Sequence, residues 1–248
     1  MIIINADDWG STRAETDAAL SCYAKGRITS VTAMVFMEDS VRAAQLAKES
    51  GIDVGLHLNL SQQFTEKSCE ETLREYHARI CGFLCSSKYA GVLYNPALRK
   101  QFRAVYEAQV GEFIRLYGKQ PSHIDGHHHL HLCANMMLDR IIPAGNGVRR
   151  NFSFRPEEKG FLNRTYRRLV DRRLARRYRL TDYFFSLSQS LSSGNLARIA
   201  ELAKATRVEV MTHPVKAHEY RYLMSEDHLA LLSNLEKGTY SSLESADG

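Results

Sequence analysis

Two periods alternate along this chain. Residues 1–6 (MIIINA) form an apolar run that stops at Asp7-Asp8, the pattern of a strand buried on both faces. Residues 28–36 (ITSVTAMVF) and 52–60 (IDVGLHLNL) predict the second and third strands. In the third, Leu56, Leu58 and Leu60 take one face while His57 and Asn59 take the other. Residues 13–25 and 41–50 have helical spacing; in the first, Ala14, Ala18, Leu20 and Tyr23 can share a face. Residues 101–118 predict a long amphipathic helix, with Phe102, Val105, Tyr106, Val110, Phe113, Ile114 and Tyr117 on one side and Gly118 as its terminator. Residues 208–214 (VEVMTHP) predict a late strand. Strands that alternate with helices imply an α/β fold with seven or eight mostly parallel strands, a distorted, TIM-like (β/α) barrel. Residues 61–97 interrupt the rhythm with a polar stretch, either a lid or binding insertion or a helical excursion without a role. Nothing resembling a repeat or linker divides the sequence, so residues 1–248 are expected to form one domain.

Composition narrows the class without choosing a function. Apolar residues at 44% and charged residues at 25% are those of an ordinary globular protein, which excludes disordered and fibrous classes. The five cysteines (Cys22, Cys69, Cys81, Cys85 and Cys133) are too few and too scattered for a disulfide framework, and Cys81 with Cys85 cannot complete a four-ligand zinc site. They are read as reduced thiols of a cytoplasmic protein. The opening MIIINADDWG lacks a basic leader and reads as a strand rather than a signal peptide, and no apolar run approaches a membrane span.

The densest chemistry lies in residues 122–132, SHIDGHHHLHL. If extended, His123, Asp125, His127, His129 and His131 share a face, while Ile124, Gly126, His128 and Leu130 point the other way. Imidazole is the commonest protein metal ligand, so this face predicts a metal site. Other strands also end in reactive groups: Asp7 and Asp8 after the first, His57 and Asn59 in the third, and Glu209, Met211 and His213 on one face of the late strand. Catalytic groups of α/β barrels gather at the carboxyl ends of strands. An Asp–His–His set suits a catalytic metal with open positions for water and substrate, and imidazole favours zinc-like ions over magnesium.

At these residues the sequence resembles the YdjC-like (ChbG/HpnK) carbohydrate deacetylases. The match lies in INADDWG (4–10), TSVTAMV (29–35), VGLHLNL (54–60), PSHIDGHHHLH (121–131) and VMTHP (210–214). Trp9 stands where the family usually has Phe, and Gly126 where Ser is common. The resemblance implies a metal-dependent hydrolase that removes the acetyl group from an acetamido sugar. It implies one divalent ion per chain on Asp8, His57 and His127, magnesium by family description although the imidazoles suit a zinc-like ion. By similarity to polysaccharide deacetylases, Asp7 would be the general base and His213 the acid. His123, Asp125, Asn59, His129, His131 and Glu209 would then support the ligands or touch substrate.

A second feature is RTYRRLVDRRLARRYR (164–179), with eight Arg in sixteen residues. Helical spacing places Phe161, Tyr166, Leu169, Val170, Leu174 and Tyr178 on a side expected to be buried. The opposite side, with Arg167, Arg168, Arg172 and Arg173, is either a solvated face or a contact for an anionic, phosphate- or lipid-linked sugar or a membrane surface. Nucleic acid is not expected, because no binding motif accompanies the charge. Self-association as a homodimer is left open. Two other functions compete with deacetylation: a phosphoesterase on the same metal site, favoured by two metals, and a non-catalytic metal- or polyanion-binding protein, in which Asp7 would be dispensable.

Overall fold

The computed structural model describes residues 1–66, 69–154 and 157–244. Six strands occur among them: β1 (Ile2–Trp9), β2 (Ser30–Ala33), β3 (Asp53–Leu58), β4 (Ile124–Gly126), β5 (Tyr183–Ser186) and β6 (Val208–Thr212). They hydrogen-bond in the order β4-β3-β2-β1-β6-β5. The helices are α1 (Arg13–Ala24), α2 (Ser40–Ser50), α3 (Glu71–Leu84), α4 (Arg99–Tyr117), α5 (Ala134–Leu138), α6 (Phe161–Ala175), α7 (Leu187–Ser193), α8 (Leu196–Ala205), α9 (Ala217–Leu223), α10 (Glu226–Leu232) and α11 (Tyr240–Glu244). None is long and apolar enough to cross a membrane. The α/β class is as expected, with six strands described where seven or eight were counted. The five cysteines are thiols, and only Cys85 is exposed.

The chain forms two compact units, neither contiguous: Met1–Asp7, Asp17–Val31 and the chain from Ala144 in one, Asp8–Thr16 and Thr32–Pro143 in the other. In the first, β1 pairs in parallel with β6, Ile4 opposite Val210, and β6 with β5, Val210 opposite Phe185. Ile2, Ile3 and Ile4 are all buried, each stabilising the fold by about 1.5–3 kcal/mol through apolar area removed from water. In the second, β3 pairs in parallel with β4, which sets His57 beside Asp125. Trp9 is fully buried there and donates its indole N–H to the Ala43 carbonyl at 3.2 Å.

Several local expectations hold, and several need correction. Helix α4 ends as expected: Gly118 takes the left-handed conformation (φ 72°) and returns its N–H to Ile114 O. Its buried face includes Gln109, which no hydrophobic pattern marks; Gln109 bonds the backbone N–H and C=O of Asn59, each at 2.8 Å. Helix α1 buries Thr16, Ala19 and Cys22 rather than the face of Ala14 and Ala18. Part of the 61–97 stretch is α3, whose His77, Ile80, Cys81 and Leu84 are buried; residues 67–68 lie outside the described residues. His77 stacks on Phe64 at 3.8 Å between ring centroids and hydrogen-bonds Asn59 O at 3.1 Å, so α3 is docked on the end of β3. Burial pushes His77 down to about 4, despite that hydrogen bond, and holds it neutral.

Residues 122–132 do not form one strand. β4 stops at Gly126, and His127–Leu132 coil into a 3-10 turn in which His128 (φ 54°) and His129 (φ 59°) are left-handed. The alternation therefore fails after His127, and His129 and His131 leave the face shared by His123 and Asp125. Left-handed residues other than glycine cost about 1–2 kcal/mol each, so the turn is maintained against a local preference. A Cβ at residue 126 would lie 2.9 Å from the His131 backbone nitrogen, so a side chain there would require the turn to shift.

Candidate metal centre and its neighbouring carboxylate

In the unit from Asp8, the ends of three strands bring together Asp8, His57 and His127, whose candidate ligand atoms lie within 4.8 Å of one another. His57 Nε2 is 3.2 Å and His127 Nδ1 3.0 Å from the same oxygen, Asp8 Oδ1. Bonds of ~2.0–2.2 Å to a tetrahedral ion would separate donors by roughly 3.3–3.6 Å, so the set needs little adjustment to hold one. Asp8 is itself left-handed (φ 65°), a conformation that Asp tolerates better than most residues. Burial works to raise its pKa, but hydrogen bonds from His127 and His57 and their positive charge outweigh it and hold the carboxyl far below the usual range. The set thus offers an ionised carboxylate and two imidazoles, a donor set that fits a divalent cation.

The second ring nitrogen of His57 is occupied from behind. Nδ1 donates to Asp125 Oδ1 at 2.8 Å, and Asp125 Oδ2 accepts from Thr32 Oγ1 at 3.0 Å. A carboxylate on Nδ1 fixes the ring so that Nε2, which meets Asp8, is the nitrogen left for a metal, the usual support of a metal-binding imidazole. Asp125 was a sequence candidate; Thr32 was not singled out, though it lies in TSVTAMV.

The other candidates of this unit are placed differently. His123 is fully buried and packs over β3 at Gly55, where a Cβ would lie 2.5 Å from its ring. Asn59 organises the turn after β3: its carboxamide oxygen accepts from the N–H groups of Ser61 and Gln62 at 3.2 and 2.9 Å. His131 is buried under the turn and His129 is partly buried, neither within the Asp–His–His set.

The unit that includes Asp7 carries a network that the sequence reading missed. Arg149, fully buried, grips Asp7 with two hydrogen bonds of 2.7 Å and donates Nε to Glu209 Oε1 at 2.7 Å. Its guanidinium also lies over the Phe184 ring, 4.9 Å from the centroid. Tyr240 donates to the other Glu209 oxygen at 2.6 Å. Burial and the Glu209 charge raise Tyr240 well above its ordinary range, so it remains a donor. Glu209 is thus consumed inside the protein, with no exposed surface for a substrate. Asp7 also accepts from Asn5 Nδ2 at 3.0 Å. His213 directly follows β6, and its backbone N–H donates to Glu219 at 2.7 Å. Buried Glu219 also accepts from Thr212 Oγ1 at 2.6 Å and from Ser188. Its nearer oxygen is 3.9 Å from His213 Nδ1. No sequence signal exposed Glu219; Arg149 could have been suspected only as one basic residue among many.

Helix α6 also differs from expectation. It spans Phe161–Ala175, and Phe161, Leu162, Tyr166 and Leu169 are exposed, at 70%, 82%, 52% and 58%. Of the side predicted to be buried, Phe161, Tyr166 and Leu169 therefore face solvent, while Leu174 is buried, beside Asp171, and Val170 and Tyr178 are partly buried. Helical period identifies a face but not what covers it.

Fold and site together define a class: a distorted (β/α) barrel with a candidate metal centre at the carboxyl ends of its strands. The chain belongs to the YdjC-like protein family, whose model matches residues 1–234. Relatives include a chitooligosaccharide deacetylase of Proteus mirabilis, 33% identical over 138 residues, covering 53% of this chain and 50% of the relative. A carbohydrate deacetylase of Mus musculus is 29% identical over 136 residues, covering 53% of this chain and 42% of that one. The chain's matches thus span about half the length of these curated relatives. A crystal structure of a putative cellobiose-phosphate cleavage protein from Enterococcus faecalis has the same fold (TM-score 0.67, 20% identity, 98% of each chain covered).

Proposed function

We propose that this chain is a metal-dependent carbohydrate N-deacetylase, hydrolysing the acetamido group of a sugar to acetate and an amine. The observation that carries the reading is the convergence of Asp8, His57 and His127 in a family whose curated relatives are deacetylases. These three residues would hold one divalent ion, and the two imidazoles favour a zinc-like ion over magnesium. Such an ion supplies Lewis acidity toward the acetyl oxygen and lowers the pKa of water.

The protein's own groups divide the remaining work. Asp125 holds His57 in the ligating tautomer. Asp7 takes the proton of the attacking water as that oxygen bonds to the acetyl carbon. Arg149 orients Asp7 through two charge-assisted hydrogen bonds. His213 delivers a proton to the nitrogen as the C–N bond breaks, leaving a neutral amine.

The test is acetate release from a panel of acetamido sugars after chelation and reconstitution with zinc, cobalt or magnesium. Release restored by metal supports the reading. A fully metal-loaded protein that releases no acetate but hydrolyses phosphate esters would replace it with the phosphoesterase reading.

A further inference from the structure

We propose that a basic cavity beside α6 is a phosphoryl-binding site, distinct from the network around Asp7. The cavity has a volume of about 250 Å³, room for several waters at ~30 Å³ each. Arg150 from the segment before β5, Arg164, Arg167 and Arg168 from α6, and Arg198 from α8 line it. Asp171 is the carboxylate on its wall, and it is already taken: Arg150 reaches it at 2.9 Å and the Asn151 side chain at 2.9 Å. Arg164, Arg168 and Arg198 have no acidic partner among the described residues, and Arg164 Nε is buried without a hydrogen bond. Like charges brought to one concavity from three elements repel one another unless an anion joins them.

The chemistry of the lining identifies the anion. Guanidinium groups present planar pairs of N–H donors that match the oxygens of a phosphoryl group, and several can share one. Phe152 and Phe154 add an aromatic wall, and Arg167 is already held over Phe154 at 5.1 Å. Adjacent arginines serve separate ends: Arg149 is turned to Asp7 and Glu209, Arg150 to Asp171 and the Thr181 carbonyl. The bound phosphoryl group is therefore a remote anchor and does not meet the proposed base. Phosphoryl groups come either from a soluble phosphate ester or from an anionic lipid headgroup. Exposed Phe161, Leu162, Tyr166 and Leu169 on α6 would meet an acyl boundary in the second case.

Titration calorimetry with inorganic pyrophosphate at low ionic strength tests the site without reference to catalysis. Binding is expected in the parent protein, weakened at least about tenfold in Arg164→Gln and in Arg198→Gln and little changed in Arg176→Gln, since one charge-assisted contact is worth more than ~1.4 kcal/mol. Arg164→Lys, which keeps the charge but loses the fork, should fall between. No binding at millimolar pyrophosphate, or equal weakening in Arg176→Gln, would overturn the proposal in favour of diffuse surface charge. Flotation with phosphatidylglycerol-containing vesicles then separates the sources. Vesicle binding displaced by pyrophosphate identifies a lipid headgroup, and pyrophosphate binding without vesicle binding identifies a soluble ester. Vesicle binding that pyrophosphate leaves untouched, in a protein whose calorimetry is blank, rejects the cavity as the site.

Discussion

Asp7 and Asp8 are consecutive and both buried, yet their partners differ in kind. Asp7 is held by Arg149, a cation that keeps its charge at every accessible pH and has no lone pair to offer. Asp8 faces His57 and His127, whose ring nitrogens can serve a metal as ligands. A guanidinium grip is permanent and orienting; an imidazole contact can be exchanged for a metal bond. Asp8 takes a left-handed conformation within β1, whereas Asp7 does not. The contrast supports the proposed division, ligation by Asp8 and proton transfer by Asp7, although the two side chains are chemically identical.

The strongest way to break this contrast is to remove the guanidinium. Arg149→Met leaves Asp7 and Glu209 buried without their cation and should cost about 3–5 kcal/mol of stability, read as a large fall in the denaturation midpoint. Arg149→Lys should recover part of the stability but little activity, because an ammonium cannot hold both Asp7 oxygens and Glu209 at once. Equal stability in parent and Arg149→Met would show that Asp7 does not depend on that grip.

His213→Ala should lower kcat by ~10²–10⁴-fold with the metal retained. The loss should shrink for an acetyl ester whose leaving group needs no proton. A loss of the same size on both substrates would remove the acid role.

His77 sharpens the contrast as an imidazole with no carboxylate partner among the described residues. Its pKa is depressed to about 4 in the folded protein against an ordinary 6.5. Between those values the unfolded chain binds a proton that the native one refuses, so stability falls as pH drops through that window. The total is on the order of 3 kcal/mol, complete below pH ~4 and absent above ~6.5. In His77→Gln, which can still donate to Asn59 O, that component should be lost, so the difference between the two pH–stability curves should reproduce it. Parallel curves would mean His77 titrates normally.

The smallest effect is expected behind the ligands. Asp125→Asn should free the His57 tautomer and weaken metal binding by ~10–100-fold, measured by competition with a chelator. Unchanged affinity would leave His57 oriented by some other group.

How far the sequence revealed this arrangement follows from what each signal encodes. β1, β6 and α4 were legible because burial on both faces, or along one stripe, leaves a local period. Asp8, His57 and His127 were legible because ligand-type residues stood at the predicted ends of strands. The histidine run misled because alternation maps to a shared face only while the backbone stays extended, and it turns left-handed at His128. Arg149 was hidden because its partner Asp7 is 142 positions away. On α6, Leu174 is buried as expected but Phe161, Tyr166 and Leu169 are exposed, because period cannot report how much of a side meets a neighbour.

The most direct test compares Asp7→Asn with Asp8→Asn, purified without chelator and assayed for both bound metal and acetate release. The expected result is a metal-loaded but inactive Asp7→Asn beside an Asp8→Asn that has lost the metal as well. Equal metal loss in both, or an active Asp7→Asn, would contradict the division of labour between the two carboxylates.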